Sequence, residues 1–424
     1  MGGNSLTQGK VLLIVGYPLL HNSSVSIQNR LLILGLSRLG YKVDVLCPEP
    51  NPFSISYDPS MEDIIKLVDN LYEVKLSNIY KFTTKLLSKK TSVIKPEDRE
   101  LSNNISNAKQ KNTMKNILRK FLAWIFDNIE LTGELKLELK KFNIDVNLYD
   151  IVISSSDPKV AHMIAYKLMK NSLNKRPKWL QYWGDPWFYD IALKGKWKKP
   201  LVYFLEKRLV ENASKVIYAS PLTLAKQKRL FPRYSKKMIF VNQATEISDC
   251  SYTKSSQQVG EFVISYVGDY NSKIRDITPF LKSAEYFPKI KFRIVGSGDI
   301  KTPVNHNVEI IRKRLPLTEI REIEKSTHVF FVMTNKEGTQ IPAKIYYLAG
   351  YTEKPIIIAV DGKNKEELKE FFQGFNRYII CENETNEIKN AISVAFDVVN
   401  KNIKFNLAKE LTPENMVERI LKDL

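Results

Sequence analysis

The chain has 424 residues, 43% hydrophobic and 26% charged, which is ordinary globular composition but too long for one hydrophobic core, so two domains are expected. Glycine (17) and proline (19) are too sparse for a collagen-like or low-complexity chain, and no apolar run approaches the ~18 residues of a membrane span. Sixty-five Lys and Arg against 46 Asp and Glu leave a net charge of +19, which favours an anionic partner: nucleic acid, an anionic membrane face or a phosphorylated ligand.

Residues 1–10 are polar and lack the basic and apolar regions of a signal peptide. Cys47, Cys250 and Cys381 are far apart and in no metal-like spacing, so a reducing compartment and no structural zinc are expected. Residues 10–16 form a short continuous apolar run, the pattern of a strand covered on both faces. A loop follows at 17–24, then a helix-periodic stretch at 27–39 that Gly40 can end, then a strand at 41–47 stopped by Pro48. This is a βαβ unit.

Residues 50–148 are less regular, with a Lys-, Asn-, Ser- and Thr-rich stretch over 80–123. Within it, 116–125 predicts an amphipathic helix with Leu118, Phe121, Leu122 and Ile125 on one face. Lys109, Lys111, Lys115, Arg119 and Lys120 lie beside that apolar face, a pattern suited to an interfacial helix or to a helix packed on the first domain with its lysines in water. Alternation resumes with strands at 149–154, 178–182, 215–219 and 237–241 and helices between them. Residues 242–260 are polar and weakly patterned and read as a hinge. A second alternating series has strands at 262–267, 291–295, 308–311, 328–333, 355–360 and 378–381. The expected architecture is α/β: two Rossmann-like, doubly wound domains that take ligand at the carboxyl ends of their strands.

Three segments of the second series carry candidate chemistry. In 266–276 a strand ends at Gly268, and Lys273 and Arg275 stand just before a helix, a set of cations and amides suited to a diphosphate. In 294–299 a strand runs into Gly296-Ser297-Gly298, which lets backbone approach a ligand; the third glycine of a dinucleotide fingerprint is missing. The third segment is the most specific. An apolar strand ends in Glu337-Gly338-Thr339-Gln340-Ile341, Pro342 is placed to open a helix at its first position, and Lys344 follows. No Asp-x-Asp metal motif occurs anywhere in the chain.

This pattern resembles the donor half of GT-B glycosyltransferases, most closely the large retaining family 4, in which a strand leads to Glu-Gly-x-x-x-Pro, a helix and a second strand. Ile341-Pro342-Ala343-Lys344-Ile345-Tyr346 resembles the Pro-x-Lys variant of surface-polysaccharide transferases. In the first half, residues 154–162 (SSSDPKVAH) resemble the Ser-Ser-x-Pro-x-x-x-His stretch of these enzymes, and Trp183-Gly184-Asp185-Pro186-Trp187 resembles their Arg-Asp-Pro-Trp loop. The resemblance covers nearly the whole chain and is weakest over 50–148.

It implies a GT-B fold with the two domains facing across a cleft. The acceptor domain would be 1–243 with a basic helical insert at about 80–145, the donor domain 261–400, and 401–424 a helical tail returning toward the first domain. It implies a retaining transfer from a UDP- or GDP-linked sugar to a lipid-linked or polysaccharide acceptor, without metal or other cofactor. The setting would be the cytoplasm at the anionic inner membrane face, in cell-surface glycan synthesis, with no nucleic-acid partner.

The donor-binding residues implied are Gly268, Lys273, Arg275, Gly296, Gly338, Thr339, Gln340, Ile341, Pro342, Lys344 and Tyr347; Glu337 would hydrogen-bond sugar hydroxyls. His162 and Asp185 are candidates on the acceptor side, the one also readable as a buried structural histidine, the other as an Asp-Pro turn packed by tryptophans. The sequence departs from the family at Tyr347, where a ribose-binding Glu is usual. That departure supports an alternative, a catalytically impaired GT-B-like binding scaffold.

Overall fold

The computed structural model describes residues 8–54, 56–81, 131–139, 144–172, 177–193, 195–248, 262–300, 305–313 and 315–424. The basic segment at 109–125 and Cys250 lie outside these residues. Among the described residues no helix is long and apolar enough to cross a membrane.

The chain divides into two compact units, one of residues 1–26, 40–217 and 231–238, the other of 27–39, 218–230 and 239–424. The first sheet has seven strands in the order β3-β2-β1-β4-β5-β6-β7: β1 Lys10–Val15, β2 Lys42–Pro48, β3 Asn70–Val74, β4 Ile151–Ser156, β5 Lys178–Trp183, β6 Lys215–Tyr218 and β7 Met238–Phe240. Strand β1 pairs in parallel with β2 on one side and β4 on the other. Its apolar run is buried from Val11 to Val15, as a central parallel strand requires.

The second sheet has six strands in the order β10-β9-β8-β11-β12-β13: β8 Phe262–Val267, β9 Ile290–Val295, β10 Val308–Ile311, β11 Val329–Met333, β12 Ile356–Val360 and β13 Ile379–Glu382. All five of its pairings are parallel. Alternate side chains of β11 feed opposite faces: Val329, Phe331 and Met333 enter one core cluster, Phe330 and Val332 the other. Both faces are therefore apolar, and both are covered.

In each sheet the strand order reverses once, between β1 and β4 in the first and between β8 and β11 in the second. At such a reversal the connections leave in opposite directions, which opens a crevice at the carboxyl ends of the two strands. Gly16 ends β1 there; a Cβ on it would lie 2.6 Å from Pro158 Cδ, so only glycine lets β1 close on the turn after β4.

Three expectations are corrected. The helix after Pro342 is Lys344–Leu348, five residues, so Pro342 precedes it and is not its first residue. The helix after Arg275 is Thr278–Ser283, and the Thr278 amide is already bonded to Asp276 Oδ1 at 2.9 Å, so that amide is not free for an anion. Residues 242–245, read as a polar hinge, are buried at 6% exposure or less. Part of their polarity is satisfied inside the second unit: the Gln28 side chain donates to Ala244 O and accepts from Ala244 N, both at 3.1 Å, and Thr245 Oγ1 donates to Tyr347 O at 2.8 Å, while Asn242 Oδ1 and Gln243 Oε1 are buried without a partner among the described residues. In the same unit the terminal helix Pro413–Leu421 buries Met416, Val417 and Ile420, and Arg38 bridges Glu414 and Glu246.

Candidate functional site

The crevice of the second sheet is built from the loops after β8 and β11. Asn271 folds the first loop tightly: its backbone exchanges two hydrogen bonds with Arg275, and its Oδ1 accepts from the amides of Lys273 and Ile274. Arg275 Nε then donates to Asn335 Oδ1 at 2.7 Å, and Lys336 N donates to Ile274 O at 2.8 Å. The two loops at the switch point are thus tied together through Arg275. Asn335 in turn donates through Nδ2 to Gln340 O at 3.1 Å, fixing the far end of the second loop. No carboxylate pairs with Arg275 or Lys273 among the described residues, so both cations keep charge available at the strand ends.

The remaining donor-side residues frame this centre. Gly268 and Gly296 bring two loops into contact: a Cβ on Gly296 would lie 2.1 Å from Gly268 O. Asp269 accepts from Ser297 N at 3.0 Å, so its carboxylate holds the same junction. Thr339 and Ile341 are buried; Thr339 O accepts from Ser220 and Thr223 hydroxyls, and the Thr339 amide donates to Gln340 Oε1. Of the amides after Glu337, that of Thr339 is therefore already occupied. Lys336 and Glu337 form the exposed tip of the loop, with Gly338 half-buried behind them.

Lys344 and Tyr347 assemble around a residue with no sequence signal, Glu324. Its side chain is fully buried; Oε2 accepts from Tyr347 OH at 2.6 Å and Tyr351 OH at 2.7 Å, and Oε1 lies 3.8 Å from Lys344 Nζ. Burial first and the Glu324 charge second push both tyrosines above the ordinary phenol range. Burial also lowers Lys344, and the Glu324 charge opposes that shift. An acid on an amphipathic helix reads as a solvated face, which is why Glu324 escapes a sequence reading. Tyr347→Phe is expected to destabilise the protein by about 1–3 kcal/mol, because a buried carboxylate loses a donor. In Glu324→Gln the same change should cost less, a non-additivity that thermal denaturation of the double mutant measures.

In the first unit, Asp185 belongs to a half-buried charge cluster at the ends of β4 and β5, gathered around the buried Lys159. Lys159, 6% exposed, pairs with Asp157 and donates to Asp185 O at 2.7 Å. Its Nζ also lies 5.4 Å from the Trp183 ring centroid. Burial raises Asp185 from 3.8 to about 7, and the neighbouring Asp157 charge raises it further than Lys159 lowers it. Asp190 is raised as well, by burial first. Burial would lower Lys159, but the three aspartates outweigh it and raise it. Glu206, fully buried, accepts from the Trp187 and Phe188 amides and so anchors the 183–188 loop that carries Asp185. Asp157 and Lys159 stand inside the quoted 154–162 motif, yet nothing in the sequence assigned them a role.

His162 is elsewhere in character. It is 0% exposed, its Nδ1 is 2.7 Å from Ser154 Oγ, and its ring lies 4.2 Å from Trp183. Burial, then the Lys159 charge, hold its pKa well below the ordinary value, so the ring is neutral. Ser154 Oγ accepts from Trp179 Nε1 at 2.9 Å, which places this histidine in a buried network joining β4 and β5.

No family model and no curated protein matches the chain in sequence. Solved structures do match in fold. TarM aligns over 99% of this chain and 97% of its own, with a TM-score of 0.50 and 12% identity. WaaG, a glycosyltransferase involved in lipopolysaccharide biosynthesis, aligns over 97% and 100% with a TM-score of 0.49 and 11% identity. A glycosyltransferase from Rickettsia africae ESF-5 aligns over 98% and 99% with a TM-score of 0.47 and 13% identity. Two doubly wound parallel sheets of seven and six strands, in the orders given above, define the fold as GT-B.

Proposed function

We propose that the protein is a glycosyltransferase that moves a sugar from a nucleotide donor to a lipid-linked or glycan acceptor. The observation that carries this reading is the Arg275–Asn335 bond, which seats a guanidinium with no carboxylate partner among the described residues at the switch point of the second sheet. A departing diphosphate needs compact positive charge there, and Arg275 with Lys273 supplies it electrostatically. In this reading Glu337, at the exposed loop tip, takes sugar hydroxyls; the loop glycines and the pinned 338–342 segment shape the donor seat. Asp185 orients the acceptor hydroxyl, and His162 acts through the packing of Trp183. The transfer is retaining and metal-independent, the donor UDP- or GDP-linked, the family 4-like, and the setting cell-surface glycan assembly at the cytoplasmic membrane face. The neighbours described as glycosyltransferases support glycosyl transfer in general. Mass-spectrometric turnover with a panel of nucleotide sugars and cell-envelope glycolipids tests the reading; binding without turnover across the panel would overturn it in favour of a scaffold. That second reading has its own observation, the Tyr347 hydroxyl committed to Glu324 in place of a ribose-facing carboxylate.

Membrane contact rests on the sequence of the basic segment. Each basic residue near an anionic leaflet contributes about 1 kcal/mol, so five hold a protein there reversibly. The protein is expected to float with anionic liposomes at low salt and to be released as salt rises. Charge reversal at Lys115, Arg119 and Lys120 should abolish flotation without lowering thermal stability; equal flotation of the reversed protein would remove the segment from this role.

A further inference from the structure

The helix Lys199–Asn212 packs on the first unit through Val202, Glu206, Leu209 and Val210, all buried. Amphipathicity calls for a polar outer face, and this helix lacks one. Trp197, in the 3₁₀ turn Lys196–Lys198 just before it, is 72% exposed, Leu201 51% and Phe204 65%. Single exposed hydrophobics are ordinary on a protein surface, but three in one row call for a covering partner. The row continues to the exposed Arg208, and its spacing of four, three and four residues puts all four side chains on one face.

Two of these anchors are held in place. The Trp197 ring lies against Gly195, whose φ is +86° and where an added Cβ would stand 2.8 Å from the indole Nε1. Phe204 meets Tyr203 edge-on, with ring centroids 5.7 Å apart. Side chains already ordered lose little freedom when covered, and Trp and Arg dominate the energetics of protein interfaces.

The occupant follows from the spacing, because four, three, four reads the same in both directions. A second copy laid antiparallel, with a two-fold axis crossing the helix between Leu201 and Phe204, sets Leu201 against the partner's Phe204 and Trp197 against the partner's Arg208. The first pair is apolar and the second places a cation over an indole face, and each pair occurs twice. In the single chain the Arg208 guanidinium carbon lies 5.8 Å from the Tyr166 ring centroid, so this cation already takes an aromatic ring as neighbour. An anionic lipid surface or an acidic protein fits the face less well. Of the nearby lysines, Lys198 is buried and Lys199 Nζ rests 5.2 Å from the Phe188 ring centroid, while Glu211 stands exposed three residues beyond Arg208.

We infer that the first unit pairs with a second copy of this chain through the 197–208 face, as an antiparallel two-fold dimer. Nothing in this pairing depends on the glycosyltransferase reading. The three apolar side chains expose on the order of 400 Å² per copy, about half of the ~800 Å² that a standard interface buries per partner, so the dimer is weak and concentration-dependent. Each copy carries a net charge of +19, and salt screens the repulsion between them. The dimer therefore strengthens as salt rises, whereas attachment to an anionic surface weakens.

Sedimentation equilibrium of the full chain, from low micromolar to several hundred micromolar and at low and high salt, tests this. A monomer–dimer equilibrium favoured by salt is expected. Leu201→Asp and Phe204→Asp should each raise the dissociation constant at least tenfold, and thermal melts check that both variants fold. Trp197→Ala and Arg208→Ala should each raise it severalfold, and the double variant by less than the product of the two. Within one chain these residues stand about 16 Å apart along the helix, too far to couple, so the shortfall reports their contact across the axis. A protein that is monomeric throughout, a dimer indifferent to Leu201→Asp and Phe204→Asp, or independent effects of Trp197 and Arg208 overturns the assignment. Flotation with phosphatidylglycerol vesicles, measured on the same variants, covers the competing occupant: a monomeric wild type whose flotation is lost in Leu201→Asp and Phe204→Asp gives the face to lipid and likewise overturns the dimer.

Discussion

Arg275→Ala is expected to weaken binding of a nucleoside diphosphate at least tenfold with the fold intact. The side chain is half-buried, held by Asn335 at 2.7 Å, and set where the strand order of the second sheet reverses. A charge-assisted hydrogen bond of this kind contributes roughly 1.5–3 kcal/mol, which corresponds to a factor of ten or more in affinity. Asn335→Ala keeps the charge and removes the tether, so its effect should be smaller, about three- to tenfold, and should appear as a faster dissociation rate. Calorimetry and stopped-flow binding with UDP and GDP measure both. Unchanged affinity in Arg275→Ala would remove the diphosphate from this crevice.

Asp185→Asn should lower the transfer rate about a hundredfold or more and, at the same time, stabilise the protein at neutral and higher pH. The two effects have one cause. Burial and the Asp157 charge raise Asp185 from 3.8 to about 7, so the folded protein keeps it protonated where the unfolded chain ionises it. Below about pH 4 both states are protonated and the residue has no effect on stability. Between about pH 4 and 7 stability falls as pH rises, and above 7 the full penalty is present, on the order of 2 kcal/mol once sharing with Asp157 and Asp190 is allowed for. Asparagine has no charge to bury, so the variant's advantage in melting temperature should be nil at pH 4, grow through pH 7 and then level off. The wild-type rate should rise over the same interval, because in the proposed reaction only the carboxylate form of Asp185 accepts the hydrogen bond of the acceptor hydroxyl. A variant no more stable at pH 8 than the wild type, or a wild-type rate flat from pH 5 to 8, would separate Asp185 from this role.

The architecture was readable locally. Strands such as Lys10–Val15 and Ile356–Val360 are continuous apolar runs because each is covered on both faces, and that property is written in consecutive residues. The motifs that place loops at strand ends were readable for the same reason: Gly268 and Gly296 follow directly on apolar strands, and Glu337 stands in the loop four residues after Met333. Helix starts were less so. Pro342 can open a helix, but the loop before it is pinned by Asn335, Ser220 and Thr223, which delays the helix to Lys344.

The class of fold, two doubly wound sheets, and the loops at their carboxyl ends follow from the residue order alone, because periodicity and strand-end glycines are properties of neighbours in the chain. Which side chains share a charge or a cavity is set by the packed fold. Glu324 meets Tyr347 and Tyr351, Lys159 meets Asp157 and the Asp185 carbonyl, and Tyr17 faces a cavity shared with Lys136. Electrostatic and hydrogen-bonding energies depend on distance and burial, and both are set by packing between segments far apart in sequence, which no local pattern encodes.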